Sequence, residues 1–168
     1  MKRFTLILVA ALIGLLSGPA AATTLKPGKP RPAPAIELAQ AHGGHVSLAQ
    51  LRGQVVLVNF WATWCPPCRK EMPSMERLTQ KLSGRPFRLL AVNTGETPEQ
   101  IQAFLKEVPL TFPILLDPEG ETMKAWRVFV LPTSFLVDKK GQIRYSLAGH
   151  LEWDEPEVVA VIERLLAE

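Results

Sequence analysis

The sequence predicts an α/β protein: a mixed central sheet with helices on both faces. Three observations lead there. Gln54 to Trp61 (QVVLVNFW) is a continuous, β-branched apolar run, the pattern of a strand buried on both faces. Strand and helix patterns then alternate from residue 65 to residue 126. A hairpin and one amphipathic helix close the chain. Right-handed crossovers make the early strands parallel, and the final hairpin is expected to add an antiparallel edge.

Each element has its own signal. Ile36 to Ala39 reads as a short strand, Ala41 to His45 as a turn, and Val46 resumes the extended chain. Ser47 is placed to cap a helical turn running to Leu51 and ended by Gly53. Cys65 to Leu82 is helical, with Cys68, Met72, Met75, Leu78 and Leu82 on one stripe and a kink expected at Pro73. Phe87 to Val92 is the next buried strand. Thr97 caps a helix with Pro98 at its first position, running to about Val108. Phe112 to Leu116 is a strand and Glu119 to Trp126 a short helix. Asp138-Lys139-Lys140-Gly141 joins strands Thr133–Val137 and Gln142–Leu147, and Glu157 to Leu166 is the closing helix.

Residues 1–22 read as a signal peptide: Lys2 and Arg3, the apolar run Phe4–Leu16, then Ser17-Gly18-Pro19 and Ala20-Ala21-Ala22. The apolar run is shorter than the roughly 20 residues of a spanning helix, and an uncleaved anchor is the alternative. Residues 23–34 read as a Pro-rich linker, since four of the eight residues from Pro27 to Pro34 are proline. The folded domain is expected over 35–168. The charge of +3, from 19 basic and 16 acidic residues, falls to +1 once Lys2 and Arg3 are removed. The remaining charges are scattered, which argues against a nucleic-acid surface. Two cysteines are too few for a disulfide-stapled module or a four-thiolate zinc site.

Those two cysteines carry the chemistry. Cys65-Pro66-Pro67-Cys68 follows a buried strand and opens a helix. No second CxxC exists to complete a zinc site, and only His42, His45 and His150 could contribute. So short a loop removes little denatured-state entropy, so a purely structural disulfide is a poor explanation. At a helix N-terminus Cys65 meets unpaired N–H groups and the positive end of the macrodipole, which favour its thiolate. Cys68, one turn inside, can resolve a mixed disulfide formed at Cys65. Glu71 lies three residues after Cys68, on the buried side of the helix. A half-buried carboxylate there would have a raised pKa and could take the resolving thiol's proton; an ordinary surface glutamate is the alternative.

The string VVLVNFWATWCPPCRKEMP resembles the TlpA/ResA-like thiol-disulfide oxidoreductases of the thioredoxin superfamily. VNTGE at 92–96, FPILLD at 112–117 and LPTSFLVDKKGQI at 131–143 extend the resemblance over roughly residues 33–167. It implies a thioredoxin-like fold with an N-terminal β extension and a redox-active Cys65–Cys68 disulfide, with no other cofactor. It also implies that Pro132 is a cis-proline facing the cysteines. Trp64, Pro66, Pro67, Leu131 and Pro132 would then form the substrate surface, with an extended client pairing along the Leu131 backbone. Asn59 stands where cytosolic thioredoxins carry an aspartate, which shifts the proton-transfer role toward Glu71 or water. Trp126 and Trp153 suggest no role, and His150 reads as surface.

The function these features imply is an exported disulfide reductase, in the periplasm or on the outer face of the cytoplasmic membrane. Its clients would be disulfide-bearing proteins, such as apocytochrome c or copper-site cysteines. Electrons would come from a membrane thiol donor, since neither a GxGxxG nor a GxxxxGK motif is present. A monomer is expected, with membrane contact only through an N-terminal anchor. An oxidase or isomerase of the same fold is the alternative, and a copper-delivery protein a weaker one, because the cysteine spacing is two and no histidine flanks the motif. A peroxiredoxin is disfavoured because no threonine stands three residues before Cys65.

Overall fold

The computed structural model describes residues 24–168, and the expected signal segment at 1–22 lies outside them. The chain runs β1 (Lys26–Pro32), β2 (Glu37–Ala39), β3 (His45–Ser47), a 3-10 turn at Leu48–Leu51, β4 (Val55–Trp61), α1 (Pro66–Lys81) and β5 (Phe87–Thr94). It continues through α2 (Pro98–Glu107), β6 (Ile114–Asp117), α3 (Glu121–Ala125), β7 (Thr133–Val137), β8 (Gln142–Ala148) and α4 (Pro156–Ala167). Six strands form one sheet in the order β1-β8-β7-β4-β5-β6, and β2 pairs with β3 in a small second sheet. β4, β5 and β6 are parallel; β7, β8 and β1 alternate antiparallel.

β4 is buried along its whole length, as its apolar run requires. Its side chains alternate between two layers. Val55, Leu57 and Trp61 join α1, α2 and α4 in one core. Val56, Val58 and Phe60 join Ile36, Leu48, Trp126 and Phe135 in the other. Phe60, Trp126 and Phe135 pack there with ring centroids 5.1–6.1 Å apart, which gives Trp126 a core role the sequence did not suggest. α1 continues through Pro73, and its stripe from Cys68 to Leu82 is buried. Thr97 and Gln100 form a reciprocal capping box at the start of α2.

Two sequence expectations are corrected. The final hairpin is not an edge: β7 lies between β4 and β8, and β8 is covered by β1. The covering strand comes from the supposed linker, so the fold begins before Ala35. Lys26 pairs with Ser146 and Pro27 with Tyr145; after a register shift Arg31 pairs with Ile143 and Pro32 with Gln142. Polyproline and β conformations are neighbours, and an edge strand need donate only from alternate residues, so prolines are tolerated there. The strand buries none of its residues, which is why it lacks the apolar pattern of a strand. The N-terminal β extension is the β2–β3 hairpin, which reaches the free edge of β6 through the Ala41 N–H to Ile114 carbonyl bond of 2.9 Å and a bridge from Gln40 to Leu115. Among the described residues no helix is long and apolar enough to cross a membrane.

Candidate active site

The carboxyl end of β4 delivers the site. After Trp61 the chain makes a tight turn, closed by the Cys65 N–H to Ala62 carbonyl bond of 3.2 Å, and α1 begins. Cys65 is the N-cap, with extended backbone at φ −92° and ψ 102°. Pro66 and Pro67 occupy the first helical positions, so neither offers an N–H. The one donor left to Cys65 Sγ within that turn is the Cys68 N–H, at 3.3 Å. Cys65 and Cys68 are joined as a disulfide. Cys65 keeps 4% of its surface exposed and Cys68 none, so Cys65 is the less enclosed of the two.

Glu71 departs from its expected setting. It is wholly buried rather than half-buried. Asn59 Nδ2 donates to its Oε1 at 2.7 Å, and Trp153 Nε1 and the Leu151 N–H donate to its Oε2 at 3.1 Å and 3.3 Å. Burial pushes its pKa up from 4.5 to about 7, while the three donors pull the other way and Glu152 adds to the rise. A carboxyl group so held exchanges its proton near neutrality and lies one helical turn beyond Cys68. Asn59 also donates to Ser134 Oγ at 2.9 Å, tying the network to β7.

The Leu131–Pro132 peptide is cis. Phe60 pairs with Thr133, so Pro132 stands level with the end of β4, where the Cys65 turn leaves the sheet. Leu131 and Trp64 line one groove of about 500 Å³ together with Thr94, Gly95, Met123, Phe129 and Val130. Trp64 is 68% exposed and Phe129 89%, so the rim next to the disulfide is apolar and open. Pro66 and Pro67 are exposed beside it.

Sequence reasoning missed the segment Gly149–Trp153. Its Gly149 N–H donates to the Pro132 carbonyl at 2.8 Å, and its Leu151 N–H and Trp153 indole hold Glu71. The Trp153 N–H also donates to Ser74 Oγ at 3.0 Å. One stretch thus clasps the cis-proline and the buried carboxyl together. The available signal was Trp153 itself, a large aromatic inside the acidic run Glu152–Glu155. Glu96 was also missed; it is buried and hydrogen-bonded to Thr63, just before Cys65.

Comparison with known proteins agrees with this geometry. The profile of the AhpC/TSA family matches residues 30–146. Thiol-disulfide oxidoreductase ResA of Bacillus thuringiensis is 38% identical over 117 residues, covering 70% of this chain and 68% of that protein. Sporulation thiol-disulfide oxidoreductase A of Bacillus subtilis is 32% identical over 158 residues, covering 89% and 93%. The crystal structure of StoA from Bacillus subtilis superposes with a TM-score of 0.66 at 29% identity, covering 81% of this chain and 98% of that one. The chain therefore belongs to the AhpC/TSA family of thioredoxin-like proteins and is a thiol-disulfide oxidoreductase of the ResA type.

Proposed function

We propose that the protein is an exported protein-disulfide reductase, with Cys65 as nucleophile, Cys68 as resolving thiol and Glu71 as the proton acceptor for Cys68. One observation carries the direction. The N-terminal turn of α1 offers Cys65 Sγ a single N–H, because Pro66 and Pro67 have none. A strong oxidant stabilises its thiolate, hence its reduced form; here that stabilisation is small, and the disulfide form is favoured.

In the forward direction the Cys65 thiolate attacks one sulfur of a client disulfide. The client S–S bond breaks, a mixed disulfide forms, and the first client thiolate leaves and is protonated. Cys68 passes its proton to Glu71 and attacks Cys65 Sγ. The second client thiolate leaves and is protonated, Glu71 gives up the proton it took, and the Cys65–Cys68 disulfide remains. Two electrons have moved from the dithiol to the client, and the two thiol protons, lost from Cys65 to solvent and from Cys68 to Glu71, are matched by the two taken up by the client thiolates. No cofactor beyond the cysteine pair is required, and a membrane thiol donor restores it. The rim of Trp64, Leu131 and Pro132, extended by Phe129 and Val130, would receive an extended client segment. Clients outside the cytosol, such as apocytochrome c or copper-site cysteines, fit this role, and the protein acts on them as a monomer held to the membrane at most by its N-terminus.

The reduction potential tests the direction. Equilibration with glutathione or dithiothreitol should give a value nearer thioredoxin's, about −270 mV, than the strong oxidant's, about −120 mV. A value above about −170 mV would reassign the protein as an oxidase.

A further inference from the structure

We propose that Glu96 is a positioning residue for Cys65: it fixes the turn before the nucleophile, and its negative charge keeps the Cys65 thiol from becoming too acidic. Glu96 follows β5, the strand parallel to β4, and only 4% of it is exposed. Its Oε2 accepts the Thr63 N–H at 2.6 Å and Asn93 Nδ2 at 2.8 Å, and its Oε1 accepts the Thr63 hydroxyl. These contacts tie both oxygens of the Glu96 side chain to Thr63 and Asn93. Among the described residues it forms no ion pair. The neighbouring acid, Asp117 at the end of β6, spends its oxygens on the Thr122 and Met123 N–H groups instead. Glu96 is therefore a buried acidic side chain held against the active-site turn.

The placement has an electrostatic consequence. Thr63 is two residues from Cys65, so their Cα atoms are at most about 7 Å apart. The Cys65 N–H to Ala62 carbonyl bond folds that stretch back on itself. A unit charge within about 10 Å, at an effective dielectric near 20, changes a thiol's ionisation about tenfold. The other charges by the motif are Arg69 and Lys70, exposed on α1, and Glu71, buried behind Cys68. Arg69 lies over the Phe104 ring, 5.5 Å from its centroid. Glu96 hydrogen-bonds to none of the three. Its charge opposes the cations and the helix terminus, and so favours the disulfide over the dithiol.

Two variants separate this from a merely mechanical brace. Glu96→Gln removes the charge while keeping an acceptor. Thr63→Val removes a donor and leaves the charge less neutralised. The readouts are the glutathione equilibrium of the cysteine pair and the iodoacetamide rate of each cysteine at neutral pH, resolved by mass spectrometry. Glu96→Gln should move the equilibrium toward the dithiol about tenfold, about 30 mV, and speed Cys65 alkylation. Thr63→Val should move it the opposite way, about two- to threefold. Shifts of the same sign in both variants, or a Glu96→Gln value within about twofold of wild type, would overturn the proposal. If Glu96→Gln does not fold, Thr63→Val decides alone, and no shift toward the disulfide overturns it. The proposal rests on Cys65 as the attacking thiol. Labelling of Cys68 first would defeat that assignment, while the glutathione equilibrium would still report on Glu96.

Discussion

Two residues divide the chemistry of the cysteine pair, and exposure separates them. Cys65 caps α1 and keeps a little exposure; Cys68, one turn inside, keeps none. Brief alkylation of the reduced protein should therefore mark Cys65 first, and Cys68→Ser should accumulate mixed disulfides with clients. Preferential marking of Cys68 would reverse the assignment. Glu71 makes a separate, thermodynamic prediction. Its pKa is about 7 in the folded chain against 4.5 ordinarily. A carboxyl raised in this way contributes stability below its unfolded value and loses it as pH rises through the folded one. Wild-type stability relative to Glu71→Gln should thus fall between about pH 4.5 and about pH 7, by on the order of 3 kcal/mol. Urea titrations across that window measure it, and parallel curves would show that burial has not shifted the group. Spacing from Cys68 placed Glu71 on the inner side of α1, but its complete burial was not legible. Burial depends on Trp153 and Leu151, about 80 residues away in sequence.

At the scale of elements, α1 was legible and what closes over it was not. The apolar stripe, the two prolines and the cysteine at the cap all lie within one stretch of sequence, so local rules reach them. The Gly149–Trp153 segment has no periodicity of its own. Its place follows from the end of β8, whose position depends on the β7–β8 and β4–β7 pairings. The start of α1 supports a test of how the helix terminus sets the poise. Pro67→Ala restores an N–H in the first turn without adding charge. The added donor should favour the Cys65 thiolate and shift the glutathione equilibrium toward the dithiol about tenfold, about 30 mV. An unchanged equilibrium would mean that the missing donor at this position contributes nothing to the reducing character.

The whole molecule poses one problem that residue and element do not: the fate of β8. With β4, β5 and β7 assembled, β8 would be the open edge of the sheet, and its sequence, QIRYSLA, has no proline to discourage pairing with another chain. Exposed edges of that kind template aggregation. β1 covers it with KPGKPRP, a strand whose three prolines and three cations make its own outer edge a poor template. Pro-rich composition reads as linker by every local rule, because local rules cannot see that the partner strand needs covering. A chain beginning at Ala35 removes β1 together with Leu25 and Ala33, which pack half-buried against the two apolar cores, and keeps the buried residues of both. Few ladder bonds and two half-buried side chains are lost, so the direct cost should be about 1–3 kcal/mol in urea unfolding. The larger consequence should be self-association as concentration rises, seen by sedimentation or light scattering. The chain from Thr24 onward should stay monomeric at the same concentration. Equal stability and equal sedimentation of the two chains would reduce β1 to a passive extension lying along the sheet.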